Sequence, residues 1–166
     1  MHSRILCILL TINNRLVNFL SEKIKLKKCT EKYWNNEANC ARSTACGLLD
    51  YNELISESKI LFESLSPMGG GVGEGEVCGV VIGTLEALSL ILNRKEIDEE
   101  TMKELFNKWK TDFNQHFNSI LCRSLIKEYK NDLGEIIEEL SEKRKEKCEN
   151  MVFKGVFLAQ EIINSI

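Results

Sequence analysis

The stretch PMGGGVGEGEVCGVVIG, residues 67–83, decides how the rest of the chain is read. It contains the only proline and seven of the ten glycines. Pro67 cannot continue a helical hydrogen-bond ladder and restrains Ser66, so it ends whatever helix precedes it. The glycines then give a turn-forming loop. Beyond them Val77, Val81, Leu85, Leu88 and Leu92 recur at helical steps, with few charges between Glu76 and Arg94. This predicts a buried central helix over residues 76–93, entered through a glycine-rich loop.

The segments on either side also read as helical. Ile5, Leu9, Ile12, Leu16 and Leu20 draw one apolar stripe, closed by the basic run KIKLKK at residues 23–28, as suits a helix C-terminus. A second helix is predicted over residues 36–49, with Ala38, Ala41 and Ala45 on a smooth side, and a third from Glu53 to the proline. Asp98 is an N-cap, followed by Glu99 and Glu100 where the helix dipole favours anions. Met102, Leu105, Phe106, Trp109, Phe113 and Phe117 form a core stripe on that helix. A short helix carries Cys122, capped by Asn118 or Ser119. From Asn131 the periodicity runs through SEKRKEK to Ile163 and reads as two helices broken near Cys148. The expectation is a compact all-α multi-helix bundle, with residues 1–30 as an amphipathic helical appendage and residues 31–166 as the domain.

Length and composition narrow the function classes. A chain of 166 residues buries roughly 70% of its unfolded surface without staples. Its 25 acidic residues exceed its 22 basic ones, giving a net charge of −3, which argues against a nucleic-acid binder. The apolar run at residues 5–12 is too short to span a bilayer and lacks a signal-peptide cleavage pattern. The basic helix over residues 1–28 leaves contact with a membrane surface or a docking partner open. Seven cysteines, an odd number with no CxxC pair, point to a reducing compartment and thus to the cytoplasm.

The glycine loop itself supports three roles. Phosphate binding is disfavoured, because there is no P-loop pattern and Glu74 and Glu76 stand where an anion would sit. Packing is the second role. Gly75, Gly79, Gly83 and Ala87 recur every four residues and strip one helix side bare; the alanine side of the second helix is a natural partner. Each interior helical glycine costs about 1 kcal/mol against alanine, so close approach must compensate. A tuned thiol is the third. Cys78 falls near the first helical turn, where unpaired N–H groups lower a thiol's pKa. A buried inert cysteine is the alternative at that position.

With NCA at residues 39–41, GGGVG and GEVCG at residues 69–79, LCRSL at residues 121–125 and a late cysteine, Cys148, the chain resembles the small proteins grouped as redox-active under the motif C_GCAxxG_C_C. The resemblance covers residues 32–163 and leaves residues 1–30 outside. It implies a functional set of four cysteines: Cys40, Cys78, Cys122 and Cys148. They would act by dithiol/disulfide exchange or as ligands to an iron–sulfur cluster or zinc, with Gly69, Gly70, Gly71, Gly73 and Gly79 flanking a bound group. A redox partner or a transporter is the implied partner, and a homo-oligomer is compatible. The competing reading is a non-catalytic helical module with structural cysteines. Val80 stands where the family has alanine, and Cys7, Cys29 and Cys46 have no counterpart; Cys7 reads as packing. Cys78 is the thiol expected to be most acidic. Arg123, beside Cys122, is a candidate thiolate partner or a surface charge, and His116 reads as a surface or satisfied residue.

Overall fold

The computed structural model describes residues 2–36 and 38–166, with side chains from residue 17 onward, residue 18 excepted. The apolar stripe predicted over residues 5–16 and the packing role given to Cys7 therefore lie outside the described side chains. The all-α expectation holds. The helices are α1 (His2–Trp34), α2 (Cys40–Tyr51), α3 (Ile55–Ser64), α4 (Gly79–Arg94), α5 (Glu99–Phe117), α6 (Cys122–Leu125) and α7 (Ser141–Ile163). Short 3-10 turns fill Ser66–Met68, Lys127–Tyr129 and Glu138–Leu140. Among the described residues, no helix is long and apolar enough to cross a membrane.

Helices α2 and α4 form the centre, because the glycines between them allow it. A Cβ on Gly83 would lie 2.1 Å from the Ala41 carbonyl oxygen and 2.5 Å from Thr44 Oγ1. The alanine side of α2 is thus the partner of α4's bare side. Gly75 does not extend that side; it belongs to the loop and faces Arg123. Around this pair pack α1, α3 and α7, with α5 against α7. Of the stripe read off the sequence, Val81, Leu88 and Leu92 are buried and Val77 and Leu85 only partly so, while Val80 and Ala87 are buried in addition. The α5 stripe delivers Trp109 and Phe113 to the core, stacked at 5.1 Å between ring centroids. Trp109 Nε1 donates to the Gly155 carbonyl at 3.0 Å, which fixes α5 on α7.

Several boundaries differ from those read off the sequence. Helix α2 begins at Cys40, four residues later than predicted, because Asn39 caps it, and α3 begins at Ile55 rather than Glu53. Helix α4 begins at Gly79 with Cys78 as its N-cap, three residues later than predicted, because the loop backbone stays non-helical through Val77. The expected break near Cys148 is absent: α7 runs unbroken through it. The break lies earlier, where Asn131 Oδ1 accepts the N–H groups of Leu133 and Glu135 and Gly134 adopts φ 82°, turning the chain before Ser141. Helix α6 is entered from Leu121, with Ser119 Oγ accepting the Leu121 N–H at 3.0 Å. Helix α1 continues past residue 30, and Leu26 and Thr30 on it are buried. Val17, Phe19, Leu20 and Ile24 of α1 are exposed.

Candidate functional site

Three separate pieces of local structure bring the cysteines together. The first is the start of α2. Asn39 caps it, accepting the Arg42 N–H at 2.9 Å through its side-chain oxygen. The same side chain donates through Nδ2 to the carbonyls of Leu65 at 3.0 Å and Ser66 at 2.8 Å. One asparagine therefore places Cys40 at the first position of α2 and ties the glycine loop beside it.

The second piece is a two-residue antiparallel bridge between Val77 and Leu121. Cys78 N–H donates to the Ile120 carbonyl at 2.8 Å, and Cys122 N–H donates to the Glu76 carbonyl at 2.7 Å. This register sets Cys78 opposite Ile120 and Cys122 opposite Glu76, so the two cysteines are diagonal neighbours on the same face of the bridge. Nothing in the helical periodicity announces this bridge; the apolar residue directly before each cysteine, Val77 and Leu121, is too little for a strand pattern.

The third piece is Gly79. A Cβ there would stand 2.7 Å from Cys40 Sγ. Only a glycine lets the Cys40 sulfur lie against the first turn of α4. Of the other loop glycines, Gly70 donates its backbone N–H to Cys40, Gly71 packs against Cys122 Cβ, and Gly69 packs against the Asn39 side chain. Gly73 is exposed with nothing within 4 Å of its would-be Cβ, so it takes no part in the site.

The resulting thiols line one wall with Cys78 acting on both Cys40 and Cys122. Cys78 and Cys122 are buried, while Cys40 is partly exposed. The Cys78 thiol lowers the Cys40 pKa from 9.0 to about 6; burial opposes this, and the N–H groups of Gly70, Cys40 and Ala41 add to it. Cys78 moves far up, first through its bond to Cys122, then through that to Cys40, then through burial. Cys122 is lowered by the Cys78 bond, against burial and the Cys40 charge, with help from Lys130 and Arg144. A single S–H proton serves one acceptor at a time. Cys40 has three backbone N–H donors besides, so it is the stable thiolate.

The acidic thiol is therefore Cys40, not Cys78. Cys78 does stand at a helix N-terminus, but the lowering by the Val80 N–H is outweighed by its interactions with Cys122 and Cys40 and by burial. Arg123 is not the cation of the site. It pairs with Glu76 on the surface. Arg144 and Lys130 supply the positive charge instead. His116 is exposed on α5.

All four expected cysteines line one cavity of about 620 Å³. Cys148 approaches from α7 and is partly buried; burial pushes its pKa up to about 11, reinforced by the Cys40 charge. It faces the same space but does not join the thiol chain. Cys46 lies elsewhere, donating its S–H to the Ser58 carbonyl at 3.2 Å, with burial holding its pKa up at about 11. Cys29, raised by burial and the nearby Asp50, is also away from the cavity lining.

Thiolate donors suit zinc or an iron–sulfur cluster chemically. The arrangement does not: among the described residues, no three or more His, Cys, Asp or Glu side chains are placed to hold one ion. The thiols make a row rather than a cage.

A small all-helical chain with a row of coupled thiols on a cavity wall defines a class of protein. The family model described as "Putative redox-active protein (C_GCAxxG_C_C)" matches residues 38–162, and the chain belongs to that family. The matched span includes Cys40, Cys78, Cys122 and Cys148. No curated protein and no solved structure matches the chain.

Proposed function

We propose that this protein carries out dithiol/disulfide exchange, with Cys40 as the attacking thiolate and Cys78 as the resolving thiol. The observation that carries this reading is geometric: Cys40 and Cys78 line one cavity wall, and the Cys40 sulfur lies against Gly79, the first residue of the helix that Cys78 caps. With a pKa of about 6, Cys40 at pH 7 is about ten parts thiolate to one part thiol. An ordinary cysteine is only a few per cent thiolate there.

The chemistry balances without a further group. Cys40 thiolate attacks one sulfur of a disulfide R–S–S–R′, forming Cys40–S–S–R and releasing R′S⁻. The Cys78 proton passes to R′S⁻, giving R′SH. Cys78 thiolate then attacks Cys40 Sγ, forming the Cys40–Cys78 disulfide and releasing RS⁻. The protein loses two electrons and the substrate gains two. Cys122 next to Cys78 supports an internal relay, in which its thiolate attacks Cys78 Sγ and frees Cys40. An external dithiol, as redox partner, restores the reduced protein. Because a low thiol pKa stabilises the reduced form, this disulfide is an oxidising one. Such cycling belongs in a reducing compartment, as in the cytoplasm.

The test is made on protein purified under reducing, anaerobic conditions. Iodoacetamide at pH 7, applied below one equivalent and followed by peptide mapping, labels Cys40 first. Mild oxidation followed by mapping without reductant yields a Cys40–Cys78 disulfide, or Cys78–Cys122 after relay. Cysteines 40, 78 and 122 that stay reduced and unreactive under both treatments overturn the reading.

A further inference from the structure

The cavity in front of Cys40 has a charge pattern that extends beyond the thiols themselves. At about 620 Å³ it falls within the size range of small-molecule sites and is far larger than a single ion needs. One wall carries the thiols. Trp34, Ile126 and Met151 give it an apolar surface.

Arg144 lines the same cavity from α7, one helical turn before Cys148. Its Nε is buried and meets no hydrogen-bond acceptor among the described residues. Its side chain makes no ion pair among those residues either. A buried guanidinium N–H without an acceptor is costly unless something negative meets it. A guanidinium fork matches the two oxygens of a carboxylate bidentately.

Carboxylates stand around this cation without pairing to it. Glu142 and Glu146 are exposed on the cavity lining, Glu149 is partly exposed, and the exposed Lys145 among them leaves the rim with three carboxylates to one ammonium. The cavity therefore presents a deeper cation and an outer set of anions, beside a thiolate. The net acidic rim disfavours a ligand carrying only negative charge. One carrying a carboxylate and an ammonium a few ångströms apart satisfies both.

We propose that the cavity takes a small amino-acid disulfide, with the substrate carboxylate on Arg144, its ammonium toward Glu142, Glu146 and Glu149, and its sulfur against Cys40. This rests on the dithiol reading above and names its substrate class. The step is the one already balanced: the disulfide accepts two electrons and leaves as two thiols, while Cys40 and Cys78 become a disulfide that an external dithiol reduces.

Two probes isolate the carboxylate. Cystine and cystamine share the disulfide and the ammonium groups; only cystine has the carboxylates. The reduced protein is mixed with each in excess, and the rate of Cys40–Cys78 disulfide formation is followed. Cystine reacts faster, on the order of tenfold, the worth of one charge-assisted hydrogen bond. Arg144→Gln brings the cystine-to-cystamine ratio toward one, and Arg144→Lys keeps part of it. Circular dichroism of each variant confirms the fold, so that the ratio is read on folded protein. Equal rates in the wild type, or a ratio that Arg144→Gln leaves intact, overturn the substrate assignment while the dithiol reading stands. Failure of both probes to oxidise the pair overturns the dithiol reading and the assignment together.

Discussion

Cys40 holds a negative charge because donors reach it from three directions. The start of α2 gives the N–H groups of Cys40 and Ala41, the glycine loop gives that of Gly70, and the Cys78 thiol gives its proton. Removing the thiol donor should be visible directly. In Cys78→Ala the thiolate titration of Cys40, followed by ultraviolet absorbance or by alkylation rate against pH, moves upward from about 6 toward the ordinary 9.0. Cys122→Ala has the opposite consequence: it removes the competitor for the Cys78 proton, so the Cys40 midpoint stays low. The sign in the wild type follows from the lowered pKa: reactivity is small below pH 6 and rises to a plateau above it. A midpoint that Cys78→Ala leaves in place would show that the thiol row has no part in the tuning. The four cysteines were legible from their motif, yet the sequence pointed to Cys78 as the acidic one. What it hid was convergence. Asn39 before Cys40 is a strong N-cap residue and was a signal that Cys40 opens a helix, but the Gly70 N–H and the Cys78 proton arrive from residues 30 or more positions away.

At the scale of elements, the α2–α4 contact couples packing to chemistry. Gly79 and Gly83, four residues apart on α4, bring its backbone against Ala41 of α2. Gly83→Ala would place a methyl 2.1 Å from the Ala41 carbonyl oxygen, so the two helices must separate. The expected cost is about 1–3 kcal/mol, the usual penalty for overpacking a close contact, measured as a shift in the denaturant midpoint. Asn39→Ala acts at the other end of the same contact. It removes the cap of α2 and both bonds to the Leu65 and Ser66 carbonyls, and is expected to cost about 1–2 kcal/mol. Because the loop then loses its tie to Cys40, the Cys40 midpoint rises as well; loss of stability with an unmoved midpoint would separate capping from thiol tuning. Helical periodicity was enough to locate the buried face of α4 and the cap of α5. It failed in the region from Asn131 to Leu140, where the apolar spacing of a helix continues but side-chain turns by Asn131 and a left-handed Gly134 win locally. It also had no means of finding the Val77–Leu121 bridge, since two residues are too few for a strand pattern to register.

The whole molecule depends on α1 more than its amphipathic sequence suggests. The segment read as an appendage over residues 1–30 shares one unbroken helix with residues 31–34. Leu26 and Thr30 are 1% and 0% exposed. A Cβ on Gly47 would stand 2.5 Å from Thr30 Oγ1, so α1 and α2 touch at backbone distance. Just beyond, Lys32 Nζ and Tyr33 OH both donate to Asp50 Oδ2, at 2.9 and 2.8 Å, and the Tyr33 hydroxyl also meets Ser58 Oγ at 3.2 Å. That cluster ties α1 to α2 and α3. Helix α2 is also the helix whose first residue is Cys40, so the cavity thiol depends on a helix that α1 covers. Leu26→Ala alone is expected to cost about 2–5 kcal/mol, a large share of the 5–15 kcal/mol or so that holds a domain together. Deletion of residues 1–30 removes Leu26, Thr30 and most of the turns that cover α2, and the expected outcome is loss of the cooperative thermal transition, read by circular dichroism. Cys40 would then titrate near an ordinary thiol, because its helix N-terminus is no longer fixed. A truncated chain that melts cooperatively at the wild-type temperature, with Cys40 still ionising near pH 6, would show instead that residues 31–166 are a complete folding unit and that α1 is carried on its surface.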